Sequence, residues 1–292
     1  MSQSQEKLKL LLQFIDKIVS QRGNEWFKDE LGKKYGVPAT EVNFDDFDND
    51  GSIRKIYEYC LKEIIKSQAN KFYENFKFSK IKEQLVKDFI RMEHYRRQDD
   101  FENFCLAMFQ QLECVVNYLT AINEVKSRVV EERNQPVIST YDKFAKRYIK
   151  TGSSLGSLLC RQKDSRKIDD LFTKKLDSWY FNNKLRVVLY FFCFNAELKY
   201  NTEEFERLYE LGNYIYQIRN LNHRGGQATE YQSQIIGKVL PLSQKYYLRF
   251  LGFLEEFISS IDASPFTLEV LTRLSNTVVN AEHVNGTKEV LV

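Results

Sequence analysis

Residues 205–226 read FERLYELGNYIYQIRNLNHRGG, and this stretch decides the fold. Phe205, Leu208, Leu211, Ile215 and Ile218 recur at steps of three and four, the period of an amphipathic helix. Asn201 and Thr202 ahead of it offer a cap, and Glu203 and Glu204 place negative charge where the first-turn amides favour it. The turn Arg224-Gly225-Gly226-Gln227 ends the run. The same period continues outward in both directions. Upstream it predicts helices over residues 8–18, 24–34 and from Ser52 onward, the last carrying Ile53, Ile56, Tyr57, Cys60 and Ile64. Ser79 to Arg97 forms another, and Asp99-Asp100 then caps a long run from Phe101 to about Arg133 that stops at Gln135-Pro136. Helices also fall at Lys167–Asn183, Leu185–Leu198 and Tyr231–Ile261, the last kinked or restarted at Pro241. Pro265 begins a short final one.

Composition agrees with an all-α reading. The chain has 292 residues, 43% of them hydrophobic, with only 12 Gly and 4 Pro, too few for the many tight turns of an all-β protein. The expected organisation is an N-terminal helical region over 1–89, a helical bundle over 90–262, and a short helix with a tail over 263–292. Within the bundle, residues 137–166 read as an irregular insertion or linker, with helical pieces near Phe144–Tyr148 and Leu155–Leu159. Against 43 Lys+Arg stand 40 Asp+Glu, a net charge of +3 that excludes a broad basic coat but leaves room for a local basic cleft. The five cysteines form no Cys-x-x-Cys pair and no Cys/His cluster, which points to a reducing, cytoplasmic setting and to neither disulfides nor structural zinc. The start of the chain has charges inside its apolar stretch, unlike a secretory signal. The most apolar window, Leu185 to Asn195, is too short to cross a membrane.

One acidic segment imitates a metal site. Asp46-Phe47-Asp48-Asn49-Asp50-Gly51-Ser52-Ile53 matches the first eight positions of a calcium-binding EF-hand loop, but the closing bidentate Glu is replaced by Tyr57, and Arg54 adds a positive charge. It reads as an acidic turn ahead of a helix, and no metal or other cofactor is expected.

The chain has three histidines, and they are not equivalent. His283 falls in a polar tail, and His94 lies in the basic helix end RMEHYRR. His223 stands four residues after Arg219, so in a helix the two share one face about 6 Å apart. A fixed cation beside a titratable imidazole can grip a phosphate and move a proton next to it. Basic residues at a helix C-terminus also suit the helix dipole without any function. The residues alone leave both readings open.

The segment FERLYELGNYIYQIRNLNHRGG resembles the catalytic helix of the HEPN superfamily, helical-bundle domains whose signature is an Arg, usually followed by a polar residue such as Asn, with a His a few residues on. Upstream, EHYRRQDDFENFCLAMFQQLE resembles the paired helices that begin many such domains, with Glu93 and Arg97 similar to a Glu-x-x-x-Lys/Arg element of some members. The resemblance covers about Ile90 to Ile261. It implies a metal-independent endoribonuclease of prokaryotic antiviral defence, CRISPR-associated or toxin type, acting on RNA as a homodimer with a composite cleft. Carried over, Arg219 would neutralise the scissile phosphate, His223 would act as acid/base and Asn220 would fix geometry. Arg224, Asn222, Arg96 and Arg97 would bind flanking RNA, with Glu93 and His94 supporting them. Family members have four to six residues between Arg and His, whereas this chain has three. The alternative is therefore a non-catalytic RNA- or protein-binding subunit of a defence nucleoprotein complex.

Overall fold

A computed structural model describes residues 51–142, 147–194, 202–224 and 228–274, together with 10, 13–15 and 17; the side chains of 51–57, 138–153, 202 and 221–224 lie outside that description. The fold is all-α, and among the described residues one hairpin is the exception. The expected helices over 8–18 and 24–34 fall almost wholly outside the described residues, as does the acidic run Asp46–Asp50. The chain divides into two compact units, Met1–Gln68 and Ala69–Val292. The break expected at residue 89 falls instead inside a helix.

Helix α1 (Gly51–Phe72) crosses that division. Helix α2 (Ser79–Arg97) follows and turns through Asp99, whose φ of 58° is one that Asp tolerates better than most residues. Asp100 then caps α3 (Phe101–Ala121), its side chain accepting from the backbone N–H of Asn103 at 3.1 Å and from the Asn103 amide at 2.7 Å. Helices α2 and α3 form an antiparallel pair and α3 packs in turn on α8 (Thr202–Arg224), so α3 is the central helix of the second unit. Its apolar side chains Phe104, Cys105, Met108, Phe109, Leu112, Val116 and Leu119 are all buried. Even its polar Gln111 is enclosed, accepting from the Tyr73 hydroxyl at 2.6 Å and donating toward Met92 Sδ at 3.3 Å.

The long run expected from Phe101 to Arg133 is broken. Ile122 is extended (φ −70°, ψ 131°), and α4 (Asn123–Glu131) departs from α3 at 74°. Periodicity missed this because both halves are amphipathic; the bend turns Val125 and Val129 inward to be buried. No single helix among the described residues is long and apolar enough to cross a membrane; α3 and α4 pass that test only when taken together across their bend.

The irregular segment also differs from expectation. β1 (Pro136–Asp142) and β2 (Arg147–Ser154) pair antiparallel, with irregular register on either side of Ile138. The helical piece expected near Phe144–Tyr148 is therefore wrong at Arg147 and Tyr148, which lie on β2. The residues concerned, Val137-Ile138-Ser139-Thr140-Tyr141 and Tyr148-Ile149-Lys150-Thr151, are dense in β-branched and aromatic side chains, which suit a strand. The helical piece expected at 155–159 is present as α5 (Leu155–Cys160).

The expected helix over 167–183 splits into α6 (Ser165–Phe172), a single 3₁₀ turn at Leu176–Ser178 and the start of α7 (Phe181–Val188). A π-helical turn, Leu189–Cys193, continues α7. Beyond α8, Thr229 and Gln232 form a capping box for α9 (Glu230–Val239). Pro241 sits in a 3₁₀ turn before α10 (Ser243–Ala263), and a last helix, α11, covers 265–274.

All five cysteines are free. Burial holds the Cys105 thiol well above its ordinary pKa, so it stays protonated at pH 8 and lacks the nucleophilic thiolate. Alkylation at pH 8 followed by mass mapping should leave Cys105 unmodified in the folded protein and modified in denaturant. Labelling of native Cys105 at the rate of a free thiol would contradict this packing.

Candidate functional site

Helix α8 is held in place along its whole described length. Phe205, Leu208 and Tyr209 are buried in its first turns, Ile215 and Ile218 further on. Gly212 marks the tightest point: a Cβ there would lie 2.6 Å from Leu185 Cδ2 and 3.3 Å from Phe253 Cζ, so α7 and α10 approach the bare backbone. Arg186, itself buried, fastens the first turns: its Nε donates to the Leu158 carbonyl at 2.7 Å and its Nη2 to Glu206 Oε1 at 2.7 Å, while its guanidinium lies 4.3 Å from the Tyr209 ring centre.

A buried polar ladder continues along the helix. The Asn213 carbonyl oxygen accepts from Asn182 Nδ2 at 3.0 Å and from Gln217 Nε2 at 3.2 Å, and the Asn213 amide donates to the Tyr231 hydroxyl at 2.7 Å. These bonds lock the rotation of α8 relative to α7 and α9. That rotation decides which way residues 216, 219 and 223 face.

Arg219 is the centre of the candidate site. Its side chain is half-buried, with the guanidinium 4.8 Å from the ring centre of Phe109 on α3, a cation–π contact. Nη1 donates to Asn220 Oδ1 at 3.0 Å, and Nε is enclosed without a hydrogen-bond partner among the described residues. Asn220 is 5% exposed, so its amide serves the arginine from inside the protein. The aromatic floor and the amide fix the guanidinium plane. Asn222, His223 and Arg224 complete the backbone of α8, which puts His223 one turn beyond Arg219 along the same face; their side chains lie outside the described residues.

The residues expected from α2 form a second group. Arg96 makes a bidentate pair with Glu93, Nε to Oε1 at 2.8 Å and Nη2 to Oε2 at 2.8 Å, and Arg97 Nε lies 3.6 Å from the same carboxylate. Glu93 is 4% exposed, and the Arg96 guanidinium is raised further above its ordinary pKa chiefly by the Glu93 hydrogen bonds. His94 is half-buried. The described contacts tie Arg96 and Arg97 to Glu93, and tie Arg219 to Phe109 and Asn220. They do not bring the two sets into contact.

Sequence reading gave no hint of Phe109, which stands in the middle of another helix. Phe181 and Tyr216 complete the surround: Phe109 meets Phe181 at 4.8 Å and Tyr216 at 5.6 Å between ring centres. Only Tyr216, three residues before Arg219, was within reach of a local pattern. Among the described residues no group of three or more His, Cys, Asp or Glu side chains converges as a metal-binding set would. No protein-family model, curated protein or solved structure matches the chain.

Proposed function

We propose that the protein is a metal-independent endoribonuclease of prokaryotic antiviral-defence or toxin type, acting in the cytoplasm on single-stranded RNA. The observation that supports this best is the setting of Arg219: a guanidinium oriented by Phe109 and Asn220 at the end of α8, with His223 one turn further on the same face. In this reading the substrate's 2′-hydroxyl attacks the adjacent phosphorus. Its proton passes to a base, the bond from phosphorus to the 5′-oxygen breaks, and that oxygen takes up a proton. The products are a 2′,3′-cyclic phosphate and a 5′-hydroxyl. Arg219 offsets the charge that builds on the phosphoryl oxygens, a task that a preorganised donor performs far better than water. His223 moves a proton at one of the two oxygens. Asn220 is a positioning residue that acts through Arg219. Arg224 and Asn222 hold flanking phosphates, and Arg96 and Arg97, already compensated by Glu93, add only weak attraction. A homodimer that brings two such helix ends together would complete the cleft.

The expected outcome is cleavage of single-stranded RNA in EDTA, with the same RNA resistant when a 2′-deoxy sugar replaces the cleaved nucleotide. Cleavage of the 2′-deoxy substrate, read from product ends on a sequencing gel, would overturn the mechanism.

The three-residue interval between Arg219 and His223 favours a second reading, a non-catalytic RNA- or protein-binding subunit of a defence nucleoprotein complex. That reading expects RNA to be retained and recovered intact.

A further inference from the structure

Most aromatic side chains of the second unit are interior. Among the described ring pairs, three are near-parallel: Phe101–Phe104 at 23°, Phe101–Phe250 at 18° and Phe181–Tyr216 at 26°. Phe101, Phe104 and Phe250 are buried, at 7%, 0% and 0% exposure, so the first two pairs serve the core. Phe181 and Tyr216 are both half-buried, and their pair is the one that reaches solvent. Its ring centres are 5.4 Å apart.

The position of this pair gives it meaning. Tyr216 precedes Arg219 by three residues and His223 by seven, so all three fall along one face of α8. Phe109, 1% exposed, is the common floor: it contacts Phe181, Tyr216 and the Arg219 guanidinium. A partly exposed aromatic pair and the Arg219 guanidinium thus share one rigid support in Phe109. The Tyr216 hydroxyl has no hydrogen-bond partner among the described residues, so the contacts inside the protein use its ring and not its hydroxyl.

We propose that Phe181 and Tyr216 form a platform on which one unpaired nucleobase stacks beside the phosphate held by Arg219. This rests on the nucleic-acid reading of the Arg219 site and names what selects the substrate there. Stacking uses the π-face that every base has, so the contact tolerates any base but requires it to be unstacked from its own helix. Duplex RNA, whose bases are already stacked and paired, cannot supply one without first opening.

The test uses the full chain and a 2′-O-methylated single-stranded RNA carrying 2-aminopurine, which binds but lacks the attacking hydroxyl. Wild type should quench the 2-aminopurine on binding. Tyr216→Leu, which keeps apolar bulk, should weaken binding by about tenfold and abolish the quench. Its affinity should keep the wild-type dependence on salt, because no phosphate contact is lost. Tyr216→Trp, which keeps a π-face, should retain both affinity and quench, and circular dichroism should show each variant folded. If Arg219→Ala weakens binding while Tyr216→Leu binds and quenches as wild type does, the platform is refuted and the RNA reading stands. If wild type retains no RNA even at low salt, the RNA reading fails and the platform with it.

Discussion

An Arg219→Ala variant should cleave single-stranded RNA at least about a hundredfold more slowly than wild type, the effect of removing one preorganised donor from a developing anion. Its folding should change far less, because the side chain contributes one cation–π contact and one hydrogen bond at the half-exposed end of α8. Arg219→Lys separates charge from geometry. An ammonium restores the positive charge but cannot reproduce the planar fork that lies on Phe109 while donating to Asn220. Recovery of less than a tenth of wild-type rate is therefore expected from Lys. Full recovery would show that any cation suffices and that the Phe109–Asn220 support has no catalytic role. Single-turnover rates, with melting temperatures measured alongside, make the comparison.

The largest effect on stability is expected at Arg186. Its side chain is 3% exposed, yet every polar contact around it is used: Leu158 carbonyl, both Glu206 oxygens, and the faces of Phe205 and Tyr209. Arg186→Ala removes that packing, takes the shorter of two hydrogen bonds from the Leu158 carbonyl, which keeps the one from the Arg161 N–H, and removes the cation paired with Glu206. A loss of about 3 kcal/mol is expected in urea unfolding. Arg186→Met fills most of the volume and should cost clearly less, as replacing a buried charge with an apolar side chain often does. Equal losses in the two variants would assign the stabilisation to the charge pair and not to packing.

How much of this was legible in the sequence depends on how local the determinant is. Helix α2 could be read from its apolar period and the cap of α3 from Asp100, because periodicity and capping act within one or two turns. The end of α9 at Pro241 was legible for the same reason. The bend at Ile122 was not, since what accompanies it is the burial of Val125 and Val129 and the pairing of Lys126 with Asp177 and of Arg128 with Glu269, contacts set by the tertiary fold. The hairpin at Pro136–Ser154 was legible only in its β-branched and aromatic composition, because strand formation depends on pairing with a partner strand more than on local propensity. At the site, the i,i+4 spacing of Arg219 and His223 was visible. Phe109 was not, because only the packing of α3 against α8 brings it beneath the guanidinium. The ladder through Asn213 was equally hidden, since Asn182, Gln217 and Tyr231 meet only once α7, α8 and α9 have docked.

The central claim is that Arg219 and His223 act together on one RNA phosphodiester. The most direct measurement is the cleavage rate of a labelled single-stranded RNA in EDTA by purified wild type, Arg219→Ala and His223→Ala, each shown to be folded and at equal concentration. The expected result is cleavage by wild type and at least a hundredfold loss in each variant. Absence of cleavage by wild type, or equal cleavage by all three, would contradict it.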